Sequence, residues 1–366
     1  MDKSYNLYGS EFSLFTGKLR SYLRKKGIVY DEVLSTVSVY KKFIVPRTGV
    51  RYVPVLQTPE DTVLQDTTVI IDELEKRFIE SSVYPESPKQ KLVALLLELY
   101  GDEWLVIPAM HYRWNFSATN DKFIYAEFGG MIAPKAPRFV KRLLGKKIGS
   151  KFKGFVPALG ITPETINAIE TSYVGFLKDL NAHLEIHDYL LGDRPCIADF
   201  GFMGPLYAHL YRDPAPGKLM RKIAPAVCAW ILRMNSEQAS MSINALLPND
   251  EISTTLIPIL QRMAKEQAPV LIDTNRLLHQ WRQQNPDTEE IPRSIGKHKF
   301  TIGDAGGERM VIPYALWMLQ RPMDFYQSLD DTQAVDALLE EIGMHSLMTN
   351  GLSNRIQRPN NKMSFA

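Results

Sequence analysis

A proline inside a short apolar run is the strongest constraint in this chain. Val53-Pro54-Val55-Leu56 is apolar and short enough for a buried strand, yet a proline cannot donate to a sheet ladder and belongs at a strand's edge or its first residue. Pro54 therefore marks the entry of a strand. The residues Leu64-Gln65-Asp66-Thr67-Thr68 then lead into Val69, Ile70, Ile71, Leu74 and Phe78, an apolar pattern with helical spacing, so Asp66 or Thr67 reads as an N-cap. The segment is a strand entered through X-Pro, a hairpin and a capped helix.

Upstream, Tyr5 to Tyr8 reads as a strand and Gly9-Ser10-Glu11-Phe12-Ser13 as a turn. A helix then begins at Ser13, with Phe15, Leu19, Tyr22 and Leu23 on one face. Its last turn is basic (Arg24, Lys25, Lys26), and Gly27 stands where a C′ glycine belongs. Tyr30 to Leu34 is a second strand, and Val39 to Arg51 a basic, less regular connector, giving the order βαβαββα. Tyr84-Pro85-Glu86-Ser87-Pro88 breaks helix and sheet alike, so residues 1–82 and 88–366 are expected as two domains, the second extended after about 246.

Signals beyond that boundary are helical. Lys91 to Trp114 reads as one long helix bent at Pro108, and Thr162-Pro163-Glu164 as the cap and first turn of a helix reaching Leu184. Ile197 to Tyr211 reads as a core helix in which Gly201, Gly204 and Pro205 allow close packing and a kink. After Pro248 come helices over Leu256–Met263 and Leu271–Trp281. A hairpin follows, with Phe300 and Ile302 facing Met310 and Ile312 across residues 304–308. Helices from Tyr314 to Leu329 and Thr332 to Gly343 come last, and the Asn-rich end from Thr349 is expected to be disordered.

Val53-Pro54-Val55-Leu56 followed by Gln65-Asp66 resembles the glutathione transferase superfamily, which has a cis-proline before a strand and a Glu/Gln-Ser pair opening the next helix. Here Asp66 replaces the serine. Leu191-Gly192-Asp193-Arg194-Pro195-Cys196-Ile197-Ala198-Asp199-Phe200 is similar to the start of that family's second-domain core helix, with Cys196 where the family has Ser or Thr. Residues 5 to about 235 are covered. The resemblance implies an α/β thioredoxin-like N-terminal domain plus an all-α C-terminal domain, a cis Val53-Pro54 bond, and a homodimer. It also implies glutathione as substrate, with a hydrophobic electrophile as its partner and no metal.

In that resemblance Ser13 matches the catalytic serine or cysteine at the first helix's N-terminus, where free N–H groups and the dipole stabilise an anion. Lowering a thiol's pKa from about 8.5 by about two units takes roughly 2.7 kcal/mol, within reach of one hydroxyl hydrogen bond and a helix end. Serine is also among the commonest N-caps, so capping alone accounts for Ser13 and the two roles are compatible. Thr16 matches the second position of a redox C-x-x-C pair in which neither thiol is present, which argues against disulfide exchange, and Phe15 stands where one bacterial class has its cysteine, which excludes that mechanism. Tyr8 is a rival hydroxyl donor, or core.

Val53 is implied to offer backbone hydrogen bonds beside Pro54. Gln65 and Asp66 are implied to contact the γ-glutamyl end, and Trp104, His111 and Tyr112 the electrophile pocket, though core packing serves these three equally. A carboxylate at Asp66 about 4 Å from the ligand's own would repel it by ~4 kcal/mol at an effective dielectric of 20. That substitution favours the alternative, a non-catalytic ligand-binding or interaction protein of the same fold.

A net charge of +2 over 366 residues predicts no general attraction to nucleic acid. The apolar run from Leu92 to Leu97 is cut by Glu98 before it can span a bilayer. Two cysteines, Cys196 and Cys228, without metal-ligand spacing, and an opening Met-Asp-Lys-Ser-Tyr-Asn without an apolar stretch lead to the expectation of a cytoplasmic protein. Between 134 and 155, Lys135, Arg138, Lys141, Arg142, Lys146, Lys147, Lys151 and Lys153 stand without an acid among Phe139, Leu143, Phe152 and Phe155. That pattern is either a solvated basic face or a surface for an anionic membrane or acidic partner.

Overall fold

In the computed structural model, which describes residues 4–238 and 245–366, strand β1 (Tyr5–Gly9) pairs parallel with β2 (Tyr30–Leu34) and antiparallel with β3 (Val55–Gln57). A parallel pair needs a crossover, and helix α1 (Leu14–Lys26) supplies it. Strand β4 (Val63–Gln65) completes the order β2-β1-β3-β4. Ser13 caps α1, whose end is turned by Gly27 at φ 68°, a conformation that costs glycine nothing. Helix α2 (Thr67–Arg77) starts from Asp66. The less regular connector, the second α of the expected βαβαββα order, is a broken helix in the pieces Val37–Val39, Tyr40–Ile44 and Val45–Thr48. This is a thioredoxin-like domain.

The long helix expected over residues 91–114 is two helices, α3 (Pro88–Leu99) and α4 (Val106–Asn115), joined by a π-helical turn at Tyr100–Trp104. Pro108 does not make the bend, because it sits in the first turn of α4, where its missing N–H leaves no helical bond unmade. Helices α5 (Ser117–Gly130) and α6 (Arg138–Lys153) form a hairpin. Helix α7 (Ile166–Leu184) starts one turn later than Thr162 suggests. The Thr165 hydroxyl closes a separate turn, donating to the Gly160 carbonyl at 2.6 Å and accepting from the Thr162 N–H at 3.0 Å.

Helix α8 (Ile197–Pro205) is buried along its whole length, begun by a capping box between Cys196 and Asp199. A Cβ on Gly201 would stand 2.9 Å from the Glu98 Cα, and one on Gly101 2.6 Å from the Gly201 carbonyl carbon, so the two glycines let α8 cross the α3 run in contact. A π-helical turn, Leu206–Tyr211, follows Pro205.

Helices α9 (Pro214–Ile223) and α10 (Pro225–Asn235) precede the extension, which contains α11 (Ile257–Glu266) and α12 (Ala268–Gln284). Strands β5 (Lys297–Ile302) and β6 (Ala305–Met310) follow, then α13 (Tyr314–Gln327) and α14 (Gln333–Ile342). The hairpin register is shifted from the expected one: Phe300 lies opposite Gly307 and Ile302 opposite Ala305. Gly303 at φ 55° allows a two-residue turn with Asp304 in place of the five-residue loop.

The last residues are ordered, contrary to expectation. They contain the ladder β7 (Ile356–Gln357) with β8 (Ser364–Phe365), and the Gln320 side chain holds both backbone groups of buried Ile356, at 2.6 and 2.9 Å. The second domain is helical and carries two small β ladders, of which the β5–β6 hairpin was expected. Among the described residues no helix is long and apolar enough to cross a membrane.

His183, buried in α7, lies 2.8 Å from the Thr255 hydroxyl and 3.1 Å from the Leu190 carbonyl through its two ring nitrogens. Burial, then neighbouring His187, brings its pKa down from 6.5 to about 4. The folded state takes up a proton less readily than the unfolded state, so this contribution is complete above pH 6.5 and is lost as pH falls toward 4. Urea denaturation is expected to show wild type losing about 3 kcal/mol more than His183→Gln between pH 7.5 and 4; parallel losses in the two proteins would refute the assignment.

Candidate functional site

The sheet register gathers the residues singled out from the sequence at one end of β1. Tyr8 lies opposite Val55, and Val55 opposite Gln65, so the turn leaving β1, the entry to β3 and the exit of β4 share an edge. The Val53-Pro54 peptide at that entry is cis. The β1–α1 turn is tight because Gly9 has no side chain: a Cβ there would meet Thr16 Cγ2 at 2.2 Å. Arg113, in α4, fixes the turn from the helical domain. Its guanidinium is paired with buried Asp213 at 2.7 and 2.8 Å and donates to the Phe12 carbonyl at 3.0 Å.

Ser13 is therefore held in place at the N-terminus of α1. Its Oγ accepts from the Thr16 N–H at 3.4 Å, and its own O–H meets no acceptor among the described residues. Tyr8 is committed elsewhere. Its ring stacks on Phe43 at 4.2 Å, and its hydroxyl donates to Gln57 Oε1 at 2.8 Å. Burial, then the charge of Asp61, pushes its pKa up, so it keeps its proton and remains a donor to Gln57.

Gln65 and Asp66 already have partners. Asp66 Oδ1 accepts from the Thr68 N–H at 3.0 Å, the capping bond, while Oδ2 accepts from the Tyr314 hydroxyl at 2.7 Å and from Arg358 at 2.9 Å. Arg358 also donates to Gln65 Oε1 at 3.2 Å, and its guanidinium lies 5.3 Å from the Tyr314 ring centre and 4.9 Å from that of Trp317. Burial and the Asp66 carboxylate push Tyr314 far above the ordinary phenol range, so it remains a donor. The same extension reaches the rest of the edge, with Asn361 donating to the Thr48 carbonyl at 2.9 Å and Arg293 over the Tyr52 ring at 5.2 Å.

The aromatic trio expected around an electrophile is packed in the core. Trp104 donates its indole N–H to Glu266 at 3.0 Å, His111 lies 2.8 Å from Glu170, and Tyr112 stacks on Phe116 at 5.1 Å. All three are buried. Burial lowers the pKa of His111 despite Glu170. Beside them, Glu103 is pushed up to about 8 by burial and by Asp102, while burial brings Arg309, stacked over Trp104, down to about 10. A groove of about 530 Å³ lies elsewhere, lined by Asp72, Tyr84, Lys91, Arg321 and Phe325 among others.

Sequence reasoning missed Arg358, Tyr314 and Trp317. The signal available was an Arg-Pro dipeptide in a segment without apolar period, and two aromatics three residues apart on a helix. Among the described residues no group of three or more His, Cys, Asp or Glu is arranged to hold a metal.

Residues 7–82 match the family model described as the glutathione S-transferase N-terminal domain, and residues 175–238 the one described as the glutathione S-transferase C-terminal domain. A search of curated proteins found no match. Similar solved structures include the beta-etherase LigF from Sphingobium sp. strain SYK-6, with 17% identity over 64% of this chain and 95% of that one and a TM-score of 0.45. A GST-like protein from Pseudomonas syringae has 20% identity, 68% and 78% coverage and a TM-score of 0.43. Rice GST1 in complex with glutathione has 16% identity, 68% and 93% coverage and a TM-score of 0.40.

The Asp66–Arg358 pair is nearly buried, with side chains 10% and 8% exposed. Removing one partner of such a pair leaves the other charge uncompensated. Arg358→Ala is expected to cost about 2 to 4 kcal/mol in denaturant stability, and Asp66→Asn combined with Arg358→Ala less than the sum of the two single changes. Additive losses would show the pair to be energetically uncoupled.

Proposed function

The chain belongs to the glutathione transferase superfamily, and from that premise we propose that it binds glutathione or a related thiol at the β1 end of the sheet and conjugates it to a hydrophobic electrophile. The observation that carries the reading is Ser13: a hydroxyl at a helix N-terminus whose O–H has no acceptor among the described residues. Its lone pair caps α1 while its hydrogen is left to donate to a thiolate, and the helix end favours the same negative charge. The thiol proton passes to solvent and the thiolate sulfur forms the new bond to carbon; in a substitution the leaving group departs with the pair of the bond that breaks, and in an addition the π pair takes up a proton from solvent. Val53, beside the cis bond, offers backbone groups to the ligand's peptide, and Gln65 with Asp66 receives its γ-glutamyl end. A homodimer is part of this reading.

A second reading, a non-catalytic binding protein of the same fold, is favoured by Arg358. It occupies Gln65 and Asp66, the residues meant for the ligand's amino-acid end. In the conjugating reading Arg358 must give way when the thiol binds, and affinity falls by whatever that displacement costs.

Two measurements separate the readings. Titration with glutathione, followed by tryptophan fluorescence, is expected to show weak binding by wild type and about tenfold tighter binding by Arg358→Ala combined with Asp66→Ser, which removes the guanidinium without baring a carboxylate; no binding by either protein would remove glutathione as the ligand. Turnover of glutathione with a general aromatic electrophile is expected to fall about tenfold or more in Ser13→Ala, at a stability cost of only ~1 kcal/mol. If glutathione binds and Ser13→Ala turns over like wild type, Ser13 is a cap alone.

A further inference from the structure

We infer that the α5–α6 hairpin is a docking surface for an anionic membrane, lying on the lipid through the outward face of α6. The seam of the hairpin creates that face. Gly129, Gly145 and Gly149 line the contact: a Cβ on Gly129 would come within 1.8 Å of the Lys141 carbonyl oxygen, one on Gly145 within 1.9 Å of the Tyr125 carbonyl oxygen, and one on Gly149 within 2.9 Å of the Tyr125 ring. With glycine on the inner side, several of the bulky residues of α6 stand outside. Phe139 and Leu143, one turn apart, are 62% and 73% exposed, and Phe155, just past the helix, is 59% exposed, whereas Phe152 leans back on Phe128 of α5. Of the 14 large apolar side chains exposed among the described residues, six fall between residues 132 and 155. Such clustering marks an interaction site, whereas singly scattered apolar residues need no explanation.

Charge surrounds this apolar strip. Lys135, Arg138, Arg142, Lys146, Lys147 and Lys151 are exposed on the same segment, and no acid occurs from 134 to 155. At 100° per residue Arg142, Lys146 and Lys147 flank Phe139 and Leu143. Three occupants are conceivable. A second copy of the chain, joined about a two-fold axis, would set this basic patch against itself. A protein partner is disfavoured by composition, because lysine is depleted and arginine enriched at protein interfaces, whereas six of the eight cations from 135 to 153 are lysine. An anionic lipid surface accepts both features at once: apolar side chains enter the headgroup boundary while flexible lysines reach the phosphates. Each cation near such a surface strengthens binding about fivefold. Nothing in this assignment depends on thiol binding.

The test is sedimentation of the full-length protein with vesicles of phosphatidylcholine, with and without phosphatidylserine. Binding is expected to be at least about tenfold tighter to the phosphatidylserine vesicles and to weaken as salt rises. Phe139→Ser with Leu143→Ser should weaken it about tenfold or more while leaving the thermal melt unchanged, since both side chains face outward. Lys146→Glu with Lys147→Glu should abolish the preference for phosphatidylserine, and keeps the question decidable if the first variant melts early. The proposal is overturned by no sedimentation with phosphatidylserine vesicles, by equal binding to both vesicle types, or by Lys146→Glu with Lys147→Glu binding like wild type. A dimer that dissociates in the Phe139 and Leu143 variant, without vesicle binding, would assign the face to a second copy.

Discussion

A buried ammonium holds the two domains and the extension in one arrangement. Lys18, on α1, has no exposed side-chain surface and lies 2.7 Å from Glu98 and 2.6 Å from Asp102. Burial alone would lower its pKa, but the two carboxylates raise it, so it stays charged. One cation cannot neutralise two acids. The second comes from the extension: Arg321, on α13, lies 3.6 Å from the other oxygen of Glu98 and pairs with Asp72 of α2 at 2.5 Å. Lys18, Glu98, Arg321 and Asp72 thus alternate in sign from α1 through α3 to α13 and α2, while burial pushes the Asp102 carboxyl beside Lys18 up to about 7. Leaving any buried member unpaired costs about 3 to 5 kcal/mol, so helix α13 supplies a counter-ion to Glu98 and Asp72 as well as packing.

That placement explains how an aspartate is tolerated at residue 66. With α13 fixed by Arg321, Tyr314 and Trp317 near its start face α2, and the terminal segment, pinned by Gln320 at Ile356, brings Arg358 against the carboxylate. The repulsion of ~4 kcal/mol expected between Asp66 and a ligand carboxylate assumed an uncompensated charge. Here the charge is compensated within the chain. The acceptor oxygens of Gln65 and Asp66 both serve the same guanidinium.

Legibility from sequence followed the range of the interactions. The thioredoxin-like half was readable because its signals are local: Pro54 at a strand entry, Ser13 and Gly27 at the two ends of α1, Asp66 as a cap. The close approach of α8 was readable from Gly201, although its partner Gly101 was not. Errors arose where a local signal competed with a distant one. Pro108 promised a kink that the π-helical turn at Tyr100–Trp104 makes instead, where Asp102 meets Lys18. The chain after Thr349 lacks any apolar period, and it is ordered by side-chain bonds to residues such as Gln320, 36 positions away. Those bonds have no signature in the segment itself, which is why Arg358 was missed while Gln65 and Asp66 were found.

The site edge accordingly has two supports that were built separately. Ser13 depends on Gly9, Thr16 and the Arg113 bond to Phe12, all of which lie within the part of the chain preceding the extension. Gln65 and Asp66 depend on Tyr314 and Arg358, which the extension supplies. A hydroxyl that meets a thiolate acts on the barrier to bond formation, whereas a guanidinium that must leave before the ligand enters acts on the ground-state affinity alone. Of these three residues, the extension therefore bears on Gln65 and Asp66 alone and leaves the capped start of α1 at Ser13 as the preceding part of the chain builds it.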